Sequence, residues 1–428
     1  MTMQRGRGPL ALAGAAVCAA VMAGPAWAAD EPGAYGYDEA ARTVKGGATS
    51  TDGPRLPAGS TYRDSIRAGQ KLYYRVDLDA KSNAYLSTVV VPGPGTKVAG
   101  DRVRVRLEDR RAGSCDTEDT GFTSSAAYPR PVTAVVARVI EKDRTSCQEA
   151  GSYYLVVERE GAPTADPGPW GLEIGHLTEP APKAGGPTAA PSQWPSASPP
   201  PPQDGPRERH GGTGFHTATG LAQGEWTDTI TPGRTLYYWV PVDWGQQLFA
   251  SADLGSSAKE GAFVGGALSL RLFNPVRSLV TGKDAYYSGK QTSAALDPVP
   301  PVAYENRYNA GDSVSGMRFA GGYYLAVDLN PEVVKDYGKG PYGLTLRLTI
   351  TGDAKNGPYD GPAGEFAVSD ASRQAAASGQ KSGQRSSGDT ADSAMPVVAA
   401  AGIGTGTVLV LGLGVWTLAA RRSALRSG

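Results

Sequence analysis

Residues 64–79 read DSIRAGQKLYYRVDLD, and residues 228–243 read DTITPGRTLYYWVPVD. The two stretches align without a gap and are identical at half of their positions, which indicates an internal repeat. In each, a glycine turn leads into alternating apolar and polar residues, the period of a β-strand with one buried face. The side chains expected to face the core are those of Leu72, Tyr74, Val76 and Leu78.

Three more blocks recur in the same order along the chain. Residues 103–107, 150–155 and 168–172 are matched by residues 268–272, 320–325 and 340–344. Each block is short, alternates in polarity and is bounded by turn-forming residues. The composition, with 57 Gly, 33 Pro and 20 Tyr against 7 Phe, also suits turns and short strands. We therefore predict a mainly β chain with two tandem antiparallel β-sandwich domains, jelly-roll-like in class, plus one C-terminal transmembrane helix.

Two strand motifs carry a family resemblance. A Gly turn, a Tyr-rich strand and an acidic residue occur in residues 69–79 and 233–243, and Gly-x-Tyr-Tyr-Leu occurs in residues 151–155 and 321–325. In these blocks the chain resembles the bacterial pre-peptidase C-terminal (PPC-like) domain family, small β-sandwich modules of secreted enzymes and surface proteins. The resemblance implies a non-catalytic module that assists secretion or binds proteins or polysaccharides. The overall layout also resembles the ectodomains of actinobacterial type I membrane proteins.

The N-terminal residues have the order of an export signal. Arg5 and Arg7 precede an apolar run, and small residues around Trp27 suit a cleavage site. We therefore predict a signal peptide over residues 1–29. Cys18 lies inside this segment without a lipobox before it, so we interpret it as part of the discarded signal and not as a lipidation site.

At the other end, residues 395–420 carry no charge and are followed by Arg421 and Arg422. A stretch of this length spans a bilayer, and arginines mark the cytoplasmic side, so residues 421–428 are predicted to be a cytoplasmic tail. The prediction is a single-pass protein of the cell membrane with its N-terminal domains extracellular and its C-terminus cytoplasmic.

Composition divides the rest of the chain. Residues 30–178 and 213–352 contain the repeated blocks and are the predicted first and second domains. Residues 179–212 include four consecutive prolines and are predicted to be an extended, Pro-rich linker. Residues 353–394, rich in Gly, Ser, Ala and Gln, are predicted to be a flexible stalk.

Two cysteines remain after removal of the signal, Cys115 and Cys147. An even pair in an exported chain favours a disulfide, whereas the alternative is two free, buried thiols. A bridge closing this loop would stabilise the first domain by about 3–4 kcal/mol in the chain-entropy model.

The charge balance and the few histidines limit the possible chemistry. The 42 basic and 42 acidic residues create no global positive field, so we predict no nucleic-acid binding. The three histidines, His176, His210 and His216, show no ligand spacing, and no catalytic, cofactor or metal site is predicted. Asp116, Glu118 and Asp119 suit a solvated loop better than a calcium site.

Two surface patterns are candidates for binding. Arg102, Arg104 and Arg106 alternate with apolar residues and are expected to project from one strand face, where a plain solvated face is the alternative. Tyr237 and Trp239 are expected to share the outer face of their strand, where exposed rings can stack on sugars or anchor an interface. The alternative is that this pair packs beneath a loop or against the other domain.

These observations lead to an expected function. A duplicated module without a catalytic constellation predicts a non-catalytic cell-surface binding or scaffold protein, held by its membrane helix and engaging an envelope protein or polysaccharide. The alternative is an accessory subunit of a membrane or secretion complex, whose anchor helix packs against another helix. Hydrolysis by a converging His or carboxylate cluster is the remaining alternative.

Overall fold

The structure is a computed structural model that describes residues 34–384 except 123, 125, 126, 142, 143, 164, 165 and 184. The predicted signal peptide, transmembrane helix and cytoplasmic tail lie outside the described residues. Within the described part, helices are too short or too polar to cross a membrane. The fold is mainly β, as predicted, and its strands form several sheets that pack in β-sandwich-like pairs.

The first module contains two sheets. Its strands are β1 (Arg42–Thr43), β2 (Ser60–Ile66), β3 (Lys71–Leu78), β4 (Asn83–Val91), β5 (Arg102–Glu108), β6 (Ser114–Gly121), β7 (Val132–Arg138), β8 (Gly151–Glu160) and β9 (Trp170–Glu179). Sheet 1 has the order β3-β8-β5-β6, and sheet 2 has the order β1-β2-β9-β4-β7.

The second module repeats this arrangement. Its strands are β10 (Arg207–Glu208), β11 (Thr219–Gly220), β12 (Gly224–Ile230), β13 (Thr235–Val242), β14 (Gln247–Leu254), β15 (Val264–Phe273), β16 (Leu279–Tyr287), β17 (Thr292–Ala295), β18 (Gly321–Leu329) and β19 (Tyr342–Thr351). Sheet 3 has the order β11-β13-β18-β15-β16, and sheet 4 has the order β10-β12-β19-β14-β17. The helices are α1 (Asp312–Ser315), α2 (Val333–Tyr337) and α3 (Asp370–Ser378), with short 3-10 turns at Tyr304–Tyr308 and Gly364–Phe366.

The long strands pair antiparallel, and only short pairs involving β1, β10 and β11 are parallel among the described strands. The core face predicted for β3 is confirmed, because Tyr74, Val76 and Leu78 are buried and Leu72 packs against the same cluster. Each such side chain contributes about 1.5–3 kcal/mol when fully buried.

An aspartate–tyrosine pair explains two identities of the repeat. Asp64 accepts a hydrogen bond from the Tyr74 hydroxyl at 2.7 Å, and Asp228 accepts one from Tyr238 at 2.6 Å. The same carboxylates also accept from the backbone N–H of Gly46 and of Gly211. Each aspartate therefore fixes the segment that precedes its sandwich to the strand that follows it.

The two modules stack through sheets 2 and 3. The outer face of β4, with Tyr85 and Val89, belongs to apolar clusters made mostly of second-module residues such as Tyr237 and Phe319. The four sheets thus lie in the order 1, 2, 3, 4. Because sheet 3 repeats sheet 1 and sheet 4 repeats sheet 2, this contact, which we call the seam, joins two different faces of the module.

The predicted linker does not hold the modules apart, and the described part of the predicted stalk packs on them. In residues 179–212, Lys183 donates its backbone N–H to Pro358 at 2.7 Å, and the Pro195 carbonyl accepts from Gln247 at 2.7 Å. In residues 353–394, the described part up to 384 contains α3 and packs on both modules. The prediction of a flexible stalk is wrong for these residues, because Ala and Ser that suit a solvated chain also suit a helix packed on aromatic rings.

The C-terminal segment, residues 353–384, is held to both modules. Phe366 packs in the seam near Tyr85, with ring centroids 6.1 Å apart. The helix α3 begins with a Ser369 capping box and buries Ala375 and Ala376 beside Trp239. These contacts make the segment a strap across the joined modules.

Candidate functional site at the seam

One part of the seam is a hairpin turn of the second module. Arg277 lies between β15 and β16 with φ 66°, in the left-handed region that disfavours side chains with a Cβ. Its repeat counterpart, Ala112 between β5 and β6, has φ 59°. The turn is set in both modules by a side chain at its start, Asn274 or Asp109, which accepts backbone N–H bonds. The turn is therefore a feature of the fold that both modules share. In the second module it holds the long, positively charged side chain of Arg277.

Arg277 forms a buried ion pair with the first module. Its Nη1 lies 2.6 Å from Oε1 of Glu173, which is 0% exposed on the outer face of β9. Oε1 also accepts from the Tyr35 hydroxyl at 3.0 Å, and Oε2 accepts from the backbone N–H of Asp38 at 3.0 Å. Burial and the Glu173 charge raise the pKa of Tyr35 well above its usual range. Both oxygens of the Glu173 carboxylate thus have partners, which a buried charge requires.

His216 completes this network. Its Nε2 lies 2.5 Å from Nη2 of Arg277, and a guanidinium can only donate, so Nε2 must accept. The ring proton is therefore placed on Nδ1, which faces a carboxylate oxygen of Asp38 at 3.6 Å. Burial and the neighbouring Arg277 lower the pKa of His216, in agreement with a neutral imidazole.

The same atoms limit the chemistry of the site. Thr61 Oγ1 lies 3.2 Å from Nε2 of His216, so Thr61, His216 and Asp38 follow the order of a hydrolase triad. The Nε2 lone pair is already directed at Arg277, however, so the ring cannot also accept the proton of Thr61 in this arrangement. The group is suited to hold charge across the seam and not to activate a hydroxyl.

A second buried carboxylate lies at the other end of the seam. Glu179, 1% exposed, accepts from Asn83 Nδ2 at 2.7 Å and from the Tyr85 hydroxyl at 2.8 Å. The Tyr359 hydroxyl of the C-terminal strap also donates to it. Burial and the charge of Glu179 raise the pKa of both tyrosines. Two polar anchors thus bracket the apolar part of the seam.

A cleft of about 500 Å³ opens beside the first network. Its lining comes from both modules and from the strap, and it includes Asp38, Thr61, Ser87, His216, Arg277 and Ser382. Its volume suits a small ligand, although His216 in its lining already contacts Arg277 and Asp38. In the part of the chain that the structure describes, no group of three or more His, Cys, Asp or Glu residues is placed to hold a metal ion.

The arginine stripe lies on the open face of sheet 1 and is matched by carboxylates. Arg104 makes a two-bond pair with Asp119 at 2.8 and 3.0 Å, and Arg106 bonds Glu108 at 3.0 Å. Hydrogen bonding to Asp119 raises the pKa of Arg104. Arg102 is exposed at the start of β5. The stripe projects from one face, as predicted, but two of its three charges have acidic partners.

Tyr237 and Trp239 share the outer face of β13, yet they are not exposed. Tyr237 is 2% and Trp239 0% exposed, because the seam and helix α3 cover them. The Trp239 indole N–H donates to the Gln380 carbonyl of the strap at 2.9 Å. The prediction of an exposed aromatic surface is therefore wrong, and the alternative, packing against the other module, is what the structure contains.

The predicted disulfide between Cys115 and Cys147 is present. It joins β6 to the segment before β8 in the first module. The acidic residues Asp116, Glu118 and Asp119 lie in β6, which pairs with β5, and not in a loop as expected. The Asp119 carboxylate pairs with Arg104 of β5, whereas the Asp116 carboxylate accepts the backbone N–H of Ala137 in β7.

The residues of the seam network were not predicted. Glu173 and Arg277 are 104 positions apart, in different modules, so no local spacing relates them. One signal was available in the repeat: residues 109–113 align with residues 274–278, and an arginine stands in the second copy where the first has Ala112. An arginine that occurs in only one copy of a turn found in both copies indicates a role other than forming the turn.

Comparisons with known proteins add little. No protein-family model and no curated protein matches the chain. Among solved structures, tripeptidyl peptidase 2 matches over 69% of this chain and 24% of that chain, with 9% identity and a TM-score of 0.21, so this chain spans about a quarter of it. The N-terminal CBM22-1-CBM22-2 tandem domain from Paenibacillus barcinonensis Xyn10C matches over 69% of this chain and 92% of that chain, with 10% identity and a TM-score of 0.17. Scores this low support no transfer of fold or function.

Proposed function

We propose that this chain is a non-catalytic binding or scaffold protein of the cell surface, in which two tandem, PPC-like and jelly-roll-like modules act as one rigid unit. The observation that carries the proposal is the seam, where the Glu173–Arg277 pair and the apolar clusters join the modules. The charges of the seam hold the modules together, and the outer face of sheet 1, with the part of sheet 4 away from the Pro195–Gln247 contact, is left open to partners.

The proposed location rests on the chain ends and on the disulfide. A stable Cys115–Cys147 bridge is typical of an exported domain, and the charge-free residues 395–420 suit a single membrane span. Residues 385–394 separate the described body from that span, which is at most about 35 Å of extended chain. The unit would therefore stand close to the membrane and present its modules to the envelope.

Crosslinking on living cells tests this function. The full chain should capture an envelope protein or polysaccharide, and a control chain with residues 1–29 joined directly to residues 385–428 should not. Capture of nothing beyond the control would count against a binding role. Capture of one membrane complex in fixed ratio, retained by the control, would instead support the accessory-subunit alternative.

A further inference from the structure

Two neighbouring aromatic rings are exposed at one end of the second module. Phe263 is 66% and Tyr286 57% exposed, the highest values for large apolar side chains in the described residues. Their ring centroids are 4.9 Å apart, with planes inclined by 26°, so the rings stack on each other. Exposed apolar side chains that lie singly need no explanation, whereas two that are stacked and open to solvent indicate a contact site.

The pair is held in place by the core beneath it. Phe263 immediately precedes β15 and Tyr286 lies near the end of β16, where Val264 pairs with Tyr287. Tyr287 is 0% exposed and packs edge-on against Tyr337, whose hydroxyl donates to the Ala262 carbonyl at 2.8 Å. The backbone on both sides of the rings is therefore fixed, and binding would require little ordering.

The surroundings of the pair are polar. The loop before Phe263 lies against the turn after β16, since the Ser257 N–H bonds the Gly289 carbonyl at 2.8 Å. Lys259, Glu260 and Lys290 are exposed on this loop and turn. A protein interface of standard size covers about 800 Å² per partner and surrounds its central residues with dry contacts. A patch of two aromatic rings beside a loop with exposed charged residues is too small and too hydrated to form the centre of such an interface.

We propose that Phe263 and Tyr286 form a binding platform for a neutral polysaccharide chain. A sugar ring has a C–H face that packs on an aromatic ring, and hydroxyl groups at its edge that suit the polar loop before Phe263. This inference rests on the proposed function and names the ligand class of its binding surface. The platform lies away from the seam, at the exposed end of the β15–β16 hairpin.

Affinity electrophoresis of the purified full chain tests the platform. The probes are gels that contain hydroxyethyl cellulose, glycogen or purified bacterial cell-wall glycan. We expect the natural chain to be retarded in at least one gel. Phe263→Ala or Tyr286→Ala should each weaken the apparent affinity about tenfold, and the double variant should show no retardation. Leu279→Ala is the matched control, because Leu279 is 45% exposed on the same strand as Tyr286 and should leave retardation unchanged.

The outcomes separate this inference from the proposed function. Retardation that the double variant retains, or no retardation of the natural chain in any of the gels, would show that the platform does not bind these glycans. If crosslinking on cells still captured a partner, the surface-binding function would stand and only the platform would be wrong. Loss of a captured protein partner in the double variant, without glycan binding, would assign the rings to a protein interface instead.

Discussion

Sheets 1 and 3 occupy the same place in the two copies of the repeat, yet one faces solvent and the other faces the neighbouring module. Both keep an arginine on one strand paired with an acid on the next, Arg106 with Glu158 at 3.3 Å and Arg271 with Asp328 at 2.8 Å. The glutamate side chain is 33% exposed and the aspartate 3%. The ion pair is thus retained in both sheets. The other residues of each face differ according to whether the face is exposed to solvent or covered by the other module.

The residues beside that ion pair differ between the exposed sheet and the covered sheet. Where the first module has Arg75, bonded to Asp77 at 3.0 Å on an open face, the second has Trp239 beneath the strap. Differences between repeats often suggest different ligands. Here, however, the aromatic pair occurs on a face that is buried, and the arginine stripe occurs on a face that is exposed to solvent. The faces open to solvent therefore include that of sheet 1 and the exposed end of the β15–β16 hairpin, and they exclude the face that carries Tyr237 and Trp239.

Exchanging the residues that distinguish the two faces should have the largest effect. Trp239→Arg is expected to lower the free energy of unfolding by at least about 3–5 kcal/mol, the usual loss for a buried tryptophan, with the added cost of a buried cation. Arg75→Trp, the reciprocal change on the open face, should cost about 1 kcal/mol or less. Urea denaturation of both variants measures the contrast. Equal losses would mean that the two faces are equally covered.

The outcome for these residues shows what the sequence can predict. Alternation placed Tyr74 and Val76 in the core and Tyr237 and Trp239 on the opposite face, because period two defines a face. It does not define what covers that face. Composition likewise identified residues 353–394 as irregular, but it could not reveal that Gln380 bonds the Trp239 indole across the sheet.

Removal of the seam cation should have the next largest effect. Arg277→Met leaves Glu173 buried without its ion partner, and the expected loss is about 3–5 kcal/mol. Arg104→Met is the matched control on the open face, where side chains are 31% and 42% exposed in the pair with Asp119, and the expected loss is below about 1 kcal/mol.

A double variant distinguishes a lost pair from a damaged turn. Glu173→Gln combined with Arg277→Met removes both charges, and it should be more stable than Arg277→Met alone, as measured in the same urea titrations. No recovery would show that Arg277 matters through its hairpin turn, where Ala112 serves in the first module.

The aspartate–tyrosine pairs should respond equally in the two modules. Tyr74→Phe and Tyr238→Phe each remove one hydrogen bond to a buried carboxylate, with an expected loss of about 1.5–3 kcal/mol. Because Asp64 and Asp228 keep equivalent backbone donors, the two losses should agree within about 1 kcal/mol in thermal or urea unfolding. A clear inequality would be assigned to His210, whose Nδ1 lies 2.9 Å from Asp228 in the second module.

The smallest effect concerns pH at the seam. Burial and Arg277 lower the pKa of His216, so the folded chain resists a proton that the unfolded chain accepts below about pH 6.5. Stability should therefore decrease as the pH falls from that value toward the lower folded pKa, and His216→Gln should reduce this slope. His176, whose pKa is also lowered by burial, remains in both chains and supplies the common background. An unchanged slope in unfolding measured from pH 7 to pH 4.5 would mean that His216 does not titrate with folding. In that case Arg277 alone holds the seam, and the imidazole serves only as its neutral acceptor.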